Sequence, residues 1–212
     1  MNKTRLILGI LIFGSLWGFS ECVVGNLFND AGLPTAELMV GFFAITFLLL
    51  SRIYFHQPGM QIGMGLIAGT LRLFNPMGCH LCSAVAIVAE GAIFELIWYR
   101  LSFDLRELKT ITMQVSMGII SAYFVFIFGY IITQVLSPII AGTGFFIENL
   151  IFIIPNILAG GVIPALIGGF VVPTVLLAKR LDLTIKDRIY YPTTLGISAL
   201  CWIIVVGNWL LA

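Results

Sequence analysis

Apolar residues fill this chain in long runs, and the few polar residues inside them recur at helical intervals. Seven apolar segments can be drawn, at roughly 5–28, 34–55, 58–75, 80–101, 110–137, 147–178 and 189–211. Several reach about 18 residues or more, the length a helix needs to cross hydrocarbon. The links between them are short. The pattern therefore predicts an all-α, polytopic integral membrane protein, one domain over 1–212, with about seven transmembrane helices.

Composition sharpens this picture. The 212 residues are 60% hydrophobic and 10% charged, with a mean hydropathy of +1.09. A soluble domain carries about a quarter charged residues, so too little polar skin exists to cover this much apolar surface. Net charge is +1, and no basic face points to nucleic acid. The opening stretch has basic residues ahead of an apolar core, the layout of a secretory leader, and is read as a retained first spanning helix.

Charge placement predicts orientation. Lys3, Arg5, Arg52, Arg100, Arg106, Lys109, Lys179, Arg180, Lys186 and Arg188 fall at alternate ends of the segments, while 29–33 and 138–146 carry no Lys or Arg. Basic residues collect on the cytoplasmic side. That places the N-terminus inside and, with seven spans, the C-terminus outside. Arg72 and His80 are the exceptions, at the outer end.

Polar groups inside the apolar segments are the candidate chemistry. Gly14, Gly18, Glu21 and Gly25 lie within about 60° on one face of the first helix, so Glu21 is aimed at a neighbouring helix and not at lipid. Gly65, Ala68, Gly69 and Arg72 share a face of the third segment, and Ser83, Ala86 and Glu90 share one on the fourth. Glu95 points about 140° away from Glu90 and is expected to serve a different contact. Charges in hydrocarbon pair with one another or line a wet cavity. Pairing of Arg72 with Glu21 or Glu90 around an outward-facing cavity is one expectation; an ion pair that only fixes packing is the other. Asn26, Asn75, His80 and Asn156 are further polar contacts. Trp17 and Phe19 are aromatics that either stack on a flat ligand or simply pack.

Cys79, His80 and Cys82 form a Cys-His-x-Cys cluster open to three readings. Thiolate and imidazole suit zinc or copper, so a transition metal or a metal-containing ligand is one. A Cys79–Cys82 disulfide facing an oxidising compartment is the second. Ordinary packing or polar ligand contact is the third. In 147–178, Pro155, Pro164 and Pro173 alternate with paired glycines, which predicts either a kinked helix or a re-entrant piece followed by a helix.

Three stretches carry a resemblance: "GLIAGTLRLFNP…AVAIVAEGAIFELIW", "IPNILAGGVIPALIGGFVVPTVLLAKRL", and the small-residue stripe of the first helix. Together they resemble the substrate-binding (S) components of energy-coupling factor vitamin transporters. The resemblance implies a core over 1–182, with 189–211 as an additional helix. It implies a non-enzymatic subunit of the cell membrane that captures a small vitamin-like molecule or metal complex outside. A transmembrane coupling subunit and ATPases would drive its uptake, with Gly14 and Gly18 on the docking surface. A pocket is expected among helices one, three, four and six, lined by Glu21, Asn26, Arg72, Asn75, His80 and Glu90. A membrane metal or thiol-redox protein, and an accessory subunit of a larger membrane complex, are the rival expectations.

Overall fold

The computed structural model describes residues 3–75, 80–100, 108–140, 142, 147–178 and 187–211. These residues are helical apart from short links, with no strand among them. We label the helices α1 (Lys3–Asp30), α2 (Thr35–Tyr54), α3 (Met60–Arg72), α4 (His80–Trp98) and α5 (Ile111–Ile140). They are followed by α6 (Ile147–Gly160), α7 (Val162–Ala178) and α8 (Asp187–Leu211).

Among the described residues, six helical stretches are long and apolar enough to cross a membrane: α1, α2, α4, α5, the joined Ile151–Leu177, and Tyr190–Leu211. The chain is thus a multi-pass membrane protein by length and composition. The segment expected at 58–75 is the one that falls short. Its helix has 13 residues, about 20 Å of rise against about 30 Å of hydrocarbon. Gly59, at φ +84°, starts it late, and the helix ends at Arg72, with Leu73 and Phe74 already in a turn.

The proline-rich segment forms two consecutive helices, α6 and α7, that meet at Gly161. Helical backbone runs through Ile147–Gly160 and Val162–Ala178 with a single interruption at Gly161. The ladder bridges the interruption: the Gly161 N–H donates to the Ile157 carbonyl at 2.9 Å, and the Ala165 N–H to the Gly161 carbonyl at 3.1 Å. Pro164 has no N–H to give to the Gly160 carbonyl, which weakens the ladder beside the interruption.

Packing order closes a ring. α1 packs on α3, α3 on α4, α4 on α5, α5 on α7, α7 on α2, and α2 returns to α1. Small residues bring the backbones together. A methyl group on Gly18 would lie 2.9 Å from the Ala68 Cα, and one on Gly69 would lie 2.7 Å from the Ala84 carbonyl oxygen. At the α5–α7 crossing, Gly118 and Gly168 meet backbone to backbone. Close contact of this kind replaces the hydrophobic effect, which lipid cannot supply. Trp17, Leu48, Met64, Phe94, Trp98 and Val125 fill the space between the helices.

α8 lies outside the ring against α1. Trp202 Nε1 donates to Ser15 Oγ at 3.2 Å, and the Arg5 guanidinium sits 5.4 Å from the centre of the Tyr190 ring. The Gly14–Gly18 stripe, expected as a docking surface for a partner, is occupied by this chain's own α3. A Cβ on Gly14 would sit 2.7 Å from Ile67 Cβ.

At the ring's other end, Glu95 fixes the start of α3. Its carboxylate accepts from the main-chain N–H of Gly59 and, at 3.2 Å, from that of Ile62. An isolated helix leaves its first N–H groups unpaired, and here a neighbouring helix supplies the cap. Arg52 Nη2 donates to the Trp98 carbonyl at 3.2 Å nearby.

Candidate functional site

The ring encloses a cavity of about 570 Å³. Its lining comes from the C-terminal part of α1, the start of α2, the last residue of α3, the first half of α4 and the second half of α5. It therefore sits towards the end that holds the α1–α2 link. Arg5, Arg52 and the Glu95 cap lie towards the opposite end.

Glu21 enters the cavity from a local irregularity. The backbone of α1 widens to a π-helical turn at Ser20–Val24, and a second such turn, Met39–Ala44, lies in α2 across the cavity. Such turns re-aim side chains and recur at functional sites. Trp17, one turn before, is fully buried and donates from Nε1 to Glu21 Oε1 at 3.3 Å. Trp17 thus holds the carboxylate and offers no face to a ligand. Phe19 packs with Phe74 and Trp202 around Leu71.

Arg72 reaches the cavity from the end of α3. Its Nη1 donates to the main-chain carbonyl of Glu21 at 3.3 Å, and its charge acts on the Glu21 carboxylate. Arg72 is thus anchored on the Glu21 main chain, in the same cavity wall as the Glu21 side chain. Next to it, Asn26 and Asn75 exchange two amide hydrogen bonds, at 3.0 and 3.4 Å. Asn26 lines the cavity; Asn75 is 2% exposed and stands behind it.

Glu90 is the contrasting group. It is 7% exposed and lines the cavity. A Cβ on Gly129 of α5 would lie 2.7 Å from its Oε1, so the absence of a side chain on α5 makes room for this carboxylate. Its Oε2 is buried with no hydrogen-bond donor among the described residues. Glu21 is the second carboxylate in the lining of the same cavity. An unpaired buried oxygen of this kind costs about 1–3 kcal/mol and more when charged, and membrane burial removes the water that would otherwise pay in part.

The remaining wall is mixed. Ser83 and Ala86 of α4 share the Glu90 face, as their spacing predicts. Asn29, Thr35, Tyr130 and Thr133 add amide and hydroxyl groups, and Met39, Val40, Ile87 and Phe126 supply apolar surface. Phe126 and Tyr130 stack with centroids 5.5 Å apart and planes 30° from parallel. The same two rings line a smaller cavity of about 230 Å³, where Asn156, Glu37 and Gln134 lie.

Four of the expected polar residues thus share one cavity: Glu21, Asn26, Arg72 and Glu90. Asn156 belongs to the smaller one. The expected set of helices needs correction, because α5 and the start of α2 form walls that were assigned to segment six. α5 is apolar over nearly its whole length and carries no charge, so nothing in its own pattern marks the lining face.

His80 does not line either cavity, and its Nδ1 is buried. Cys79 lies outside the described residues. Cys82 is disulfide-bonded and fully buried, with Ser137 Oγ 3.4 Å from its sulfur. A disulfide sulfur is not a thiolate ligand. Cys22 and Cys201 are free and buried, and the Cys22 thiol donates to the Leu71 carbonyl at 3.5 Å. Among the described residues, no three His, Cys, Asp or Glu side chains converge as a metal set.

Comparison with known protein families, with curated proteins and with solved structures found no match to this chain.

Proposed function

We propose that this protein is a non-enzymatic membrane subunit that binds a small solute in the ring cavity as part of its uptake. The cavity itself carries the reading: about 570 Å³ of space inside a bundle of apolar helices, with Glu21, Arg72 and Glu90 turned into it. Small-molecule sites occupy about 300–1,000 Å³ and combine apolar walls with a few polar anchors. Buried charges in membrane helices are expensive, and a purely structural ion pair would satisfy them more fully than Glu90 is satisfied here.

The distribution of Lys and Arg supports an N-terminus in the cytoplasm. The cavity then opens towards the outer side of the cell membrane, where a solute would be captured. The resemblance to energy-coupling factor S components supports the same reading. It adds a transmembrane coupling subunit and paired ATPases as partners, the bilayer as the medium, and α8 as an addition to the core. With Gly14 and Gly18 filled by α3, such a coupling subunit would use another surface.

The test is native mass spectrometry of the protein extracted from its own membrane. A small molecule is expected on the intact protein and is lost on substitution of both Arg72 and Glu90. A protein that carries only lipid, with lipid occupancy indifferent to those two residues, would contradict the proposal.

A further inference from the structure

Resting on the solute-binding reading, we infer that the cavity takes a small organic cation, an amine or another protonated nitrogen base with an apolar body. Its cationic end would lie at Glu90. The two carboxylates of the cavity are unequally provided for. Glu21 has the Trp17 N–H on one oxygen and Arg72 bonded to its main-chain carbonyl. Glu90 has no donor on Oε2 among the described residues, and Glu21, another carboxylate, lines the same cavity. The described lining holds one arginine and two carboxylates, and the arginine is anchored on the Glu21 main chain.

What is missing at Glu90 is a positively charged hydrogen-bond donor, and such a contact is about twice as strong as a neutral one. No set of three acidic, histidine or cysteine side chains converges among the described residues, so a transition metal has no such ligand set here. An organic cation needs no such set. The stacked rings of Phe126 and Tyr130 lie on the same cavity wall as Gly129, the residue against which Glu90 packs. An aromatic face beside a carboxylate suits a cation, since the ring quadrupole attracts positive charge. Asn26, Ser83 and Thr133 would serve neutral polar atoms elsewhere on the ligand.

Three probes with one apolar body isolate the charge: phenethylammonium, phenethyl alcohol and phenylacetate. Binding of each to the purified full chain is measured by isothermal titration calorimetry, with empty detergent micelles as the blank. The ammonium compound is expected to bind at least about tenfold more tightly than the alcohol, with phenylacetate the weakest. Glu90→Gln should remove most of that preference by weakening the ammonium compound more than the alcohol, and Glu90→Asp should restore part of it. Thermal unfolding of each variant shows whether it is folded, and Glu90→Asp serves if Glu90→Gln is not. A preference for phenylacetate, or a cation preference that survives Glu90→Gln, overturns the cation assignment while leaving the solute cavity in place. Failure of all three to bind also overturns the assignment. The mass-spectrometric test of native ligand then decides separately whether the cavity holds any solute.

Discussion

The carboxylate of Glu90 lies against the Cα of Gly129, so that a methyl group on Gly129 would come within 2.7 Å of Oε1. α4 therefore keeps a charged side chain in the bundle because α5 has no side chain opposite it. Gly129→Ala should push the carboxylate aside. That end of a glutamate is flexible, so the cost in stability should stay near 1 kcal/mol, at the low end for overpacking. Ligand affinity should fall by about tenfold, because the anchor has moved. Binding and thermal unfolding measured on the same preparation check both halves of the prediction.

A glycine that faces backbone behaves differently. Gly18 meets the Cα of Ala68 at 2.9 Å from a would-be Cβ, and a backbone atom cannot swing away. Gly18→Leu should destabilise the isolated protein by about 3 kcal/mol or more, through separation of α1 from α3. The melting temperature of the purified chain in detergent is the readout. An unchanged melting temperature with loss of a co-purifying partner would restore the stripe to the docking role suggested by its spacing.

Trp17 positions Glu21 through the Nε1 bond. Trp17→Phe keeps an aromatic ring and removes the donor, at a net cost of about 0.5–1.5 kcal/mol. Solute affinity should fall about three- to tenfold. If Trp17 acts through Glu21, the double variant with Glu21→Gln should bind no worse than Glu21→Gln alone. Full additivity of the two losses would mean that Trp17 acts by another route.

Glu95 is a carboxylate without a share in the cavity. Two main-chain donors at the start of α3 depend on it. Glu95→Ala should therefore cost about 2 kcal/mol, the range for unpaired buried donors, while Glu95→Gln should cost less because its amide oxygen still accepts. The cavity lies at the other end of α3, so solute affinity in Glu95→Gln should stay within about twofold. Chemical denaturation and the ligand titration together give both numbers.

The helical register was enough to place much of this site from the chain alone. Stepping by 100° per residue sets Ser83, Ala86 and Glu90 on one face and sends Glu95 elsewhere, and both placements hold in the structure. The small-residue spacing correctly marks Gly18 and Gly69 as sites of close helix approach, yet it cannot say whether the approaching helix belongs to this chain. α5 was not legible for a different reason. Its lining residues, Phe126, Gly129, Tyr130 and Thr133, differ little in polarity from the rest of the helix, so only its neighbours define an inward face. Segment 58–75 looks long enough to span because apolar residues run beyond the helix ends, whereas the Gly59 turn and the turn after Arg72 leave 13 helical residues.

An experimental density map of the protein purified from its own membrane tests the central claim most directly. The account predicts a compact, non-lipid density between Arg72, Glu90 and the Phe126–Tyr130 pair, within hydrogen-bond distance of the Glu90 carboxylate. A collapsed cavity in which Arg72 turns from the Glu21 carbonyl to pair directly with Glu90, leaving no room for a solute, would contradict it.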